Sequence, residues 1–208
     1  MIRDASNEPL DDAVLEEFPL DALSWDTVSR YRAVVSAVRP NHPWLKLDNE
    51  EFLVKLNAIG RTNGEGEFHP TRAGLLMFGF EHEIVKEYAN YFLDYREADQ
   101  ERRWADRITS QDGTWTGNLF DFWTEALPRL TSGLKKPFAL DNNLQRIEDT
   151  EMHAAIREAL ANALVHSDYY GRRGIVALRY SDRIEIANPG NSRVALDVVR
   201  AGGISDAR

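Results

Sequence analysis

The sequence predicts a mixed α/β fold of the α+β type, in which a mainly helical N-terminal part with a short sheet precedes a helix and a β-hairpin. Two observations predict this class. Apolar residues recur at helical spacing in several separate segments, most strongly in residues 119–130. Two short runs, residues 175–180 and 183–187, are separated by only two polar residues and predict a hairpin with a tight turn.

The composition is that of an ordinary globular protein, with 43% hydrophobic and 28% charged residues. The absence of cysteine excludes disulfides, thiolate catalysis and cysteine-ligated zinc. The longest apolar run is much shorter than a membrane-spanning helix, and the N-terminus shows no signal-peptide pattern, so we expect a cytoplasmic protein without membrane contact. The net charge of -9 argues against a large nucleic-acid footprint on this chain.

The first elements follow from prolines, caps and apolar spacing. Residues 1–22 are acidic and are expected to form a linker or a wrapping arm. A helix is predicted from Ser24 to the residue before Pro40, because apolar residues recur at helical spacing: Val28, Tyr31, Val35 and Val38. A second helix begins at Asp48, where Glu51 completes a capping-box pattern, and is predicted to end at Gly60.

The glycine-containing loop at residues 61–67 follows these helices, so residues 24–70 resemble a small winged-helix-like unit. A helical adaptor that packs on the next domain is the alternative. A short helix is predicted from Thr71 to Met77, and alternating side chains predict a strand over residues 91–96.

We expect three regions: an arm at 1–22, an α+β adaptor domain at 23–140, and a further domain at 141–208. The boundary is placed near residues 133–147, where Lys135-Lys136-Pro137 begins a connector. Beyond the hairpin, residues 194–200 show another helical pattern.

A basic and aromatic cluster surrounds Trp104, a pattern that can hold a phosphate backbone. The basic members are Arg102, Arg103 and Arg107. Acidic residues are interleaved with them, namely Asp99, Glu101 and Asp106. We therefore favour a solvated, ion-paired surface over a nucleic-acid site.

The segment 148–166 predicts a helix with two different faces. At about 100° per residue, one stripe is apolar and reads as the core face: Met152, Ile156, Ala159, Leu160 and Ala163. A second stripe carries Glu151, Ala155, Glu158, Asn162 and His166. Glu158 and Asn162 are one turn apart beside small residues, so a polar ligand could approach the helix closely there. The alternative is a solvated face of an amphipathic helix.

A turn, Asn188-Pro189-Gly190, follows the hairpin. This order of parts resembles the GHKL (Bergerat-fold) nucleotide-binding domain. The resemblance is closest to a family of RecG-like C-terminal regions and transcriptional regulators associated with AlbA-type (Schlafen-like) DNA-binding domains. It rests on three stretches: 70–79, PTRAGLLMFG; 157–169, REALANALVHSDY; and 182–190, DRIEIANPG.

The resemblance implies a site for ATP and Mg²⁺. It makes Asn162 the Mg²⁺ ligand, with the ion held through the nucleotide, and Glu158 the general base that polarises the attacking water. A carboxamide oxygen suits Mg²⁺, and a carboxylate one turn away can orient a water. Family members read the adenine amine with the aspartate of an Asp-x-Gly-x-Gly turn. Here Asn188 stands in that place, and Gly190 belongs to the same turn.

The resemblance also implies that residues 141–208 are the N-terminal portion of a truncated, incomplete GHKL-like domain, and that the chain is a fragment of a longer protein. No Gly-x-x-x-x-Gly-Lys-Ser/Thr phosphate loop is present, so a weak GHKL-type ATPase is the enzymatic expectation rather than a helicase motor. His166 with Asp168 could be a metal pair, but a histidine that interacts with the dipole at a helix C-terminus is the better explanation.

Three functions remain open. The first is a nucleotide-dependent switch in a DNA-binding transcriptional regulator, with DNA bound through domains outside this chain. The second is a non-enzymatic scaffold or homo-oligomerisation domain that has lost nucleotide binding. The third is direct DNA binding through residues 24–70, against which the acidic balance argues.

Overall fold

A computed structural model describes residues 10–64, 66–98, 104–134 and 150–190. These residues confirm the mixed α/β class. The helices are α1 Trp25–Val38, α2 Asn49–Lys55, α3 Arg72–Phe78, α4 Glu81–Glu87, α5 Leu119–Thr131 and α6 Glu151–Val165. The strands are β1 Ile59–Gly60, β2 His69–Pro70, β3 Leu93–Glu97, β4 Asp106–Thr109, β5 Ile175–Arg179 and β6 Ile184–Ala187. The predicted connector at Lys135-Lys136-Pro137 and the pattern at 194–200 lie outside the described residues.

The predicted helix starts in the N-terminal half are confirmed. The Ser24 side chain accepts from the backbone N–H of Thr27 at 3.2 Å and begins α1. At the start of α2 the Asp48 carboxylate accepts from the Glu51 N–H at 2.8 Å, and the Glu51 carboxylate accepts from the Asp48 N–H at 3.3 Å. Local side-chain acceptors therefore decide where these helices begin.

The predicted end of α2 at Gly60 is wrong. The helix ends at Lys55, and Ile59–Gly60 instead pairs with His69–Pro70 as a short antiparallel hairpin. Asn57 takes a left-handed conformation with φ of 56°, which stops the helix, because asparagine tolerates this region better than most residues. The N–H of Ala58 then turns back to the carbonyl oxygen of Leu53 at 2.9 Å.

Residues 13–23 pack over this hairpin and over α3. The Leu15 N–H donates to the Pro70 carbonyl at 2.9 Å, and the Arg72 N–H donates to the Ala13 carbonyl at 3.0 Å. Leu15 and Phe18 are buried in the hydrophobic cluster of the chain. This stretch thus belongs to the same core as the helices.

The larger sheet has the strand order β4-β3-β5-β6. β3 pairs antiparallel with β4 and parallel with β5, and β5 pairs antiparallel with β6 as the predicted hairpin. Strands from both sides of the predicted boundary near 133–147 therefore form one sheet. Leu93 lies opposite Ile175 and Tyr95 opposite Ala177, and all four side chains are buried.

α6 packs against β5 and β6 of this sheet, and α5 packs against α6. On α6 the buried side chains are His153, Ile156, Leu160, Ala163 and Leu164. The predicted core stripe is therefore wrong for Met152, which is 58% exposed, and for Ala159, which is also exposed. Because α6 must contact both α5 and the sheet, it is rotated about its axis relative to the predicted orientation. This rotation buries the side chains of His153 and Leu164.

Candidate functional site

The four predicted site residues lie on α6 and on the turn after β6. Thr150 caps α6, since its hydroxyl accepts from the His153 N–H at 3.4 Å. Glu158 and Asn162 are both exposed on the helix face that points away from the core. Asn188 and Gly190 are exposed in the turn. All four are therefore accessible to a ligand.

The side chains of Glu158 and Asn162 make no hydrogen bond or ion pair within the described part of the chain. Their helical neighbours Ala155 and Ala159 are also exposed, so this stripe carries little bulk. The polar stripe is thus not filled by described side chains. Because both polar residues are exposed, the described residues also do not enclose them in a hollow.

The turn at Asn188-Pro189-Gly190 rests against the C-terminal end of α6. The backbone N–H of Asp168 donates to the Pro189 carbonyl at 2.9 Å. Gly190 has a φ of 126°, a conformation that side-chain-bearing residues rarely adopt. A Cβ placed there would lie 3.8 Å from the His166 carbonyl oxygen. The hairpin therefore returns the chain to the end of the helix that carries Asn162.

Two tyrosines anchor the loop after α6 to the N-terminal half. The ring of Tyr169 packs against the rings of Tyr88 and Tyr91, with centroids 6.0 and 6.1 Å away. Its hydroxyl donates to the Leu164 carbonyl, one of the last carbonyls of α6. Tyr170 lies 4.9 Å from the Tyr88 ring, and its hydroxyl donates to the Glu87 carboxylate.

The ionisation of this tyrosine cluster predicts a loss of stability at high pH. Burial raises the pKa of Tyr88, Tyr91 and Tyr169 above the usual value. Burial, with the hydrogen bond to Glu87, raises the pKa of Tyr170 to about 12. The folded state holds these protons more tightly than the unfolded chain, so their contribution to the free energy of unfolding is complete below about pH 10. This contribution is lost as the pH rises toward and above the raised pKa values of the folded state.

Urea denaturation at a series of alkaline pH values checks this expectation. The free energy of unfolding should fall from about pH 10 upward, and tyrosinate absorption should appear together with unfolding. Tyr170→Phe should reduce the steepness of the fall. A free energy of unfolding that stays constant up to about pH 12 would contradict the expectation.

The predicted ion-paired surface near Trp104 is organised by a residue that sequence reasoning missed. Asp94 on β3 is fully buried, and its carboxylate accepts hydrogen bonds from the guanidinium groups of Arg96 and Arg107. The guanidinium of Arg96 lies 4.7 Å from the Trp104 ring centroid. The sequence signal that could have identified Asp94 is its position between two apolar residues of a predicted strand. Four predicted members of this cluster lie outside the described residues, namely Asp99, Glu101, Arg102 and Arg103.

The hairpin of β1 and β2 lies beside an acidic cleft. Its lining includes Glu16, Glu17, Asp21, Glu50 and Glu67. The nearby Arg61 places its guanidinium 4.0 Å from the Phe68 ring centroid. Five carboxylates near one basic guanidinium repel phosphate, so this surface does not favour direct DNA binding.

The described residues contain no group of three or more His, Asp or Glu side chains that could hold a metal ion. Asn162 does fit a role as one oxygen ligand of Mg²⁺, because its carboxamide is exposed and not engaged by described side chains. The remaining ligands of such an ion would come from nucleotide phosphates and water.

Comparisons with known proteins give one family match. Residues 1–94 match a family described as a domain of unknown function, DUF8451. The match covers 94 of 208 residues, and it ends inside β3. No curated protein and no solved structure matches the chain. Among the helices of the described residues, none has both the length and the hydropathy needed to cross a bilayer.

Proposed function

We propose that this chain belongs to a DNA-binding transcriptional regulator and carries a divergent GHKL-type module that acts as a nucleotide-dependent switch. One observation carries the proposal. Glu158 and Asn162 lie one turn apart on one side of α6, beside Ala155 and Ala159, and the segment that follows the helix contacts the turn at Asn188-Pro189-Gly190. This arrangement supports the succession of helix, hairpin and turn that the GHKL resemblance implies.

Each site residue has a defined role in this proposal. Asn162 offers its carboxamide oxygen to Mg²⁺, and Glu158 accepts a hydrogen bond from a water and orients it. Asn188 offers an amide oxygen to the base, which is a weaker acceptor than a carboxylate. Bound ATP with Mg²⁺ supplies the phosphates and the charge neutralisation. The expected activity is accordingly weak hydrolysis or binding alone.

Calorimetric titration of the intact protein with ATP and Mg²⁺ tests the proposal. Asn162→Ala should lower the affinity by about 10- to 100-fold, because it removes a ligand to a charged group. Glu158→Gln should keep binding and lose hydrolysis. Since both side chains are exposed, neither substitution should change the free energy of unfolding by more than about 0.5 kcal/mol.

Asn49→Ala, which changes an exposed asparagine on α2, is the matched control and should leave the affinity unchanged. Absence of nucleotide binding by the intact protein would overturn the proposal. Equal affinity in the unaltered and Asn162→Ala proteins would overturn the assigned site.

A second candidate is a non-enzymatic scaffold that forms homo-oligomers. The exposure of Glu158 and Asn162 without an enclosing wall favours it, as does the absence of an aspartate in the turn. Light scattering after size exclusion, repeated with ATP and Mg²⁺, separates the two candidates. A stable oligomer that neither binds nor responds to nucleotide supports the scaffold.

The DNA partner is assigned to domains outside this chain. The acidic cleft near Glu50 and Glu67 supports that assignment. We therefore expect this chain alone to give no mobility shift with duplex DNA at physiological salt. A shift whose strength falls steeply with added salt would instead support direct binding through residues 24–70.

A further inference from the structure

We infer that Tyr170, held by Glu87, is a positioning residue for the turn at Asn188-Pro189-Gly190. The inference rests on the proposed function where it concerns nucleotide affinity, but the positioning itself is independent of it. Glu87 lies at the end of α4, inside the segment that matches the family model. The connection therefore joins that segment to the proposed site.

The first part of the connection is a three-residue cluster on the surface. The Tyr170 hydroxyl donates to Oε1 of Glu87, and Nε of Arg72 donates to the same oxygen at 3.0 Å. The guanidinium of Arg72 also lies 5.6 Å from the centroid of the Tyr170 ring. The Glu87 side chain is only 15% exposed and that of Arg72 25% exposed, so both partners are held in place by their surroundings.

The second part connects Tyr170 to the turn through two hydrogen bonds. The Tyr170 N–H donates to Oδ1 of Asp168 at 3.1 Å, and the Asp168 N–H donates to the Pro189 carbonyl at 2.9 Å. A Cβ on Gly171 would lie 3.3 Å from Cβ of Pro189, so the two segments are in close contact. A displacement of Tyr170 therefore moves the support on which the turn rests.

The exposure of Tyr170 distinguishes a positioning role for this residue from a role in core packing. Its side chain is 45% exposed, so it contributes little to the hydrophobic core. Loss of its hydroxyl removes one hydrogen bond to a carboxylate and leaves the ring contacts intact. The global stability should change little, whereas the local opening of the turn should become more frequent.

Hydrogen exchange and calorimetry on the whole chain test this inference. Tyr170→Phe and Glu87→Ala should each raise amide exchange at Asp168, whose N–H donates to the Pro189 carbonyl, by about three- to tenfold without nucleotide. Combining them should add little, because both break the same bond. Glu87→Gln keeps an acceptor oxygen and should restore most of the protection. Tyr180→Phe is the matched control, since this tyrosine instead stacks with Arg183.

The measured affinity for ATP with Mg²⁺ should fall by a similar factor in Tyr170→Phe, with an unchanged midpoint of thermal unfolding. Unchanged exchange at Asp168 in Tyr170→Phe would overturn the positioning role. If the intact protein binds no nucleotide, the proposed function fails, and the exchange data alone decide the positioning. If the chain binds nucleotide and Tyr170→Phe binds it equally well, the link to the site fails and the proposed function stands.

Discussion

Replacing Gly74 with alanine is expected to lower the free energy of unfolding by about 3–4 kcal/mol. A Cβ at this position would lie 1.7 Å from the carbonyl oxygen of Ala58 and 2.6 Å from its carbonyl carbon. Both are backbone atoms, so no side-chain rotation relieves the overlap. The glycine in the stretch PTRAGLLMFG therefore has a packing role, because it allows α3 to approach the segment that precedes β1.

The surrounding hydrogen bonds explain why the overlap is costly. The Thr71 N–H donates to the same Ala58 carbonyl at 2.9 Å, and the Thr71 hydroxyl accepts from the Gly74 N–H at 3.0 Å. Moving α3 away from Ala58 would break the first bond, and tilting the first turn of α3 would break the second. Relaxation of the overlap therefore breaks hydrogen bonds that hold α3 in place.

Urea denaturation measures the effect, and Gly113→Ala is the control. Gly113 has a φ of 75°, and a Cβ at this position would have no neighbouring atom within 4 Å, so its replacement costs only the conformational strain of about 1–2 kcal/mol. The free energy of unfolding should fall with urea concentration at the same slope in both variants. A loss for Gly74→Ala no greater than that for Gly113→Ala would show that α3 does not approach Ala58 this closely.

Replacing Asp94 with alanine is expected to cost about 2–4 kcal/mol, because it leaves two guanidinium groups next to each other without their shared carboxylate. Arg96 and Arg107 are cross-strand neighbours on β3 and β4. Their side chains are 26% and 41% exposed, so both can regain part of their hydration, which keeps the cost below that of a fully buried pair. Asp94→Asn should lie between alanine and the unaltered protein, since it keeps acceptor capacity without the charge.

The matched control is Asp106→Ala on the adjacent strand. Asp106 is 43% exposed and pairs with Arg129, which is 38% exposed, so this surface ion pair should contribute less than about 1 kcal/mol. Thermal and urea denaturation of both variants measure the difference. Equal losses for Asp94→Ala and Asp106→Ala would contradict the role of Asp94 as the centre of the cluster.

Local signals in the sequence predicted much of the secondary structure. Ser24 and Asp48 mark helix starts because a side-chain acceptor and the N–H groups that it caps lie within three residues of each other. The two-residue separation at Ser181-Asp182 predicted the β5–β6 hairpin for the same reason. The end of α2 was not predicted, because it depends on the left-handed conformation of Asn57, which apolar spacing does not report.

In the candidate site, too, the sequence predicted local features but not those that depend on tertiary contacts. The sequence placed Glu158 and Asn162 on one side of a helix, and both lie on the exposed side of α6. Helical spacing assigned Met152 and Ala159 to the core, but the roll of α6 depends on its contacts with α5 and the sheet. The anchoring of Tyr170 by Glu87 joins residues 83 positions apart and has no sequence pattern of its own.

The sequence by itself determined the helix starts, the hairpin, and the placement of Glu158 and Asn162 on one side of a helix, because caps, tight turns and helical periodicity act over a few residues. Only the tertiary structure decided that β3 lies parallel beside β5, that α6 turns His153 inward, and that Arg96 and Arg107 share Asp94. These features depend on groups that are distant in the chain, and their pairing becomes favourable only once a common core has brought them together.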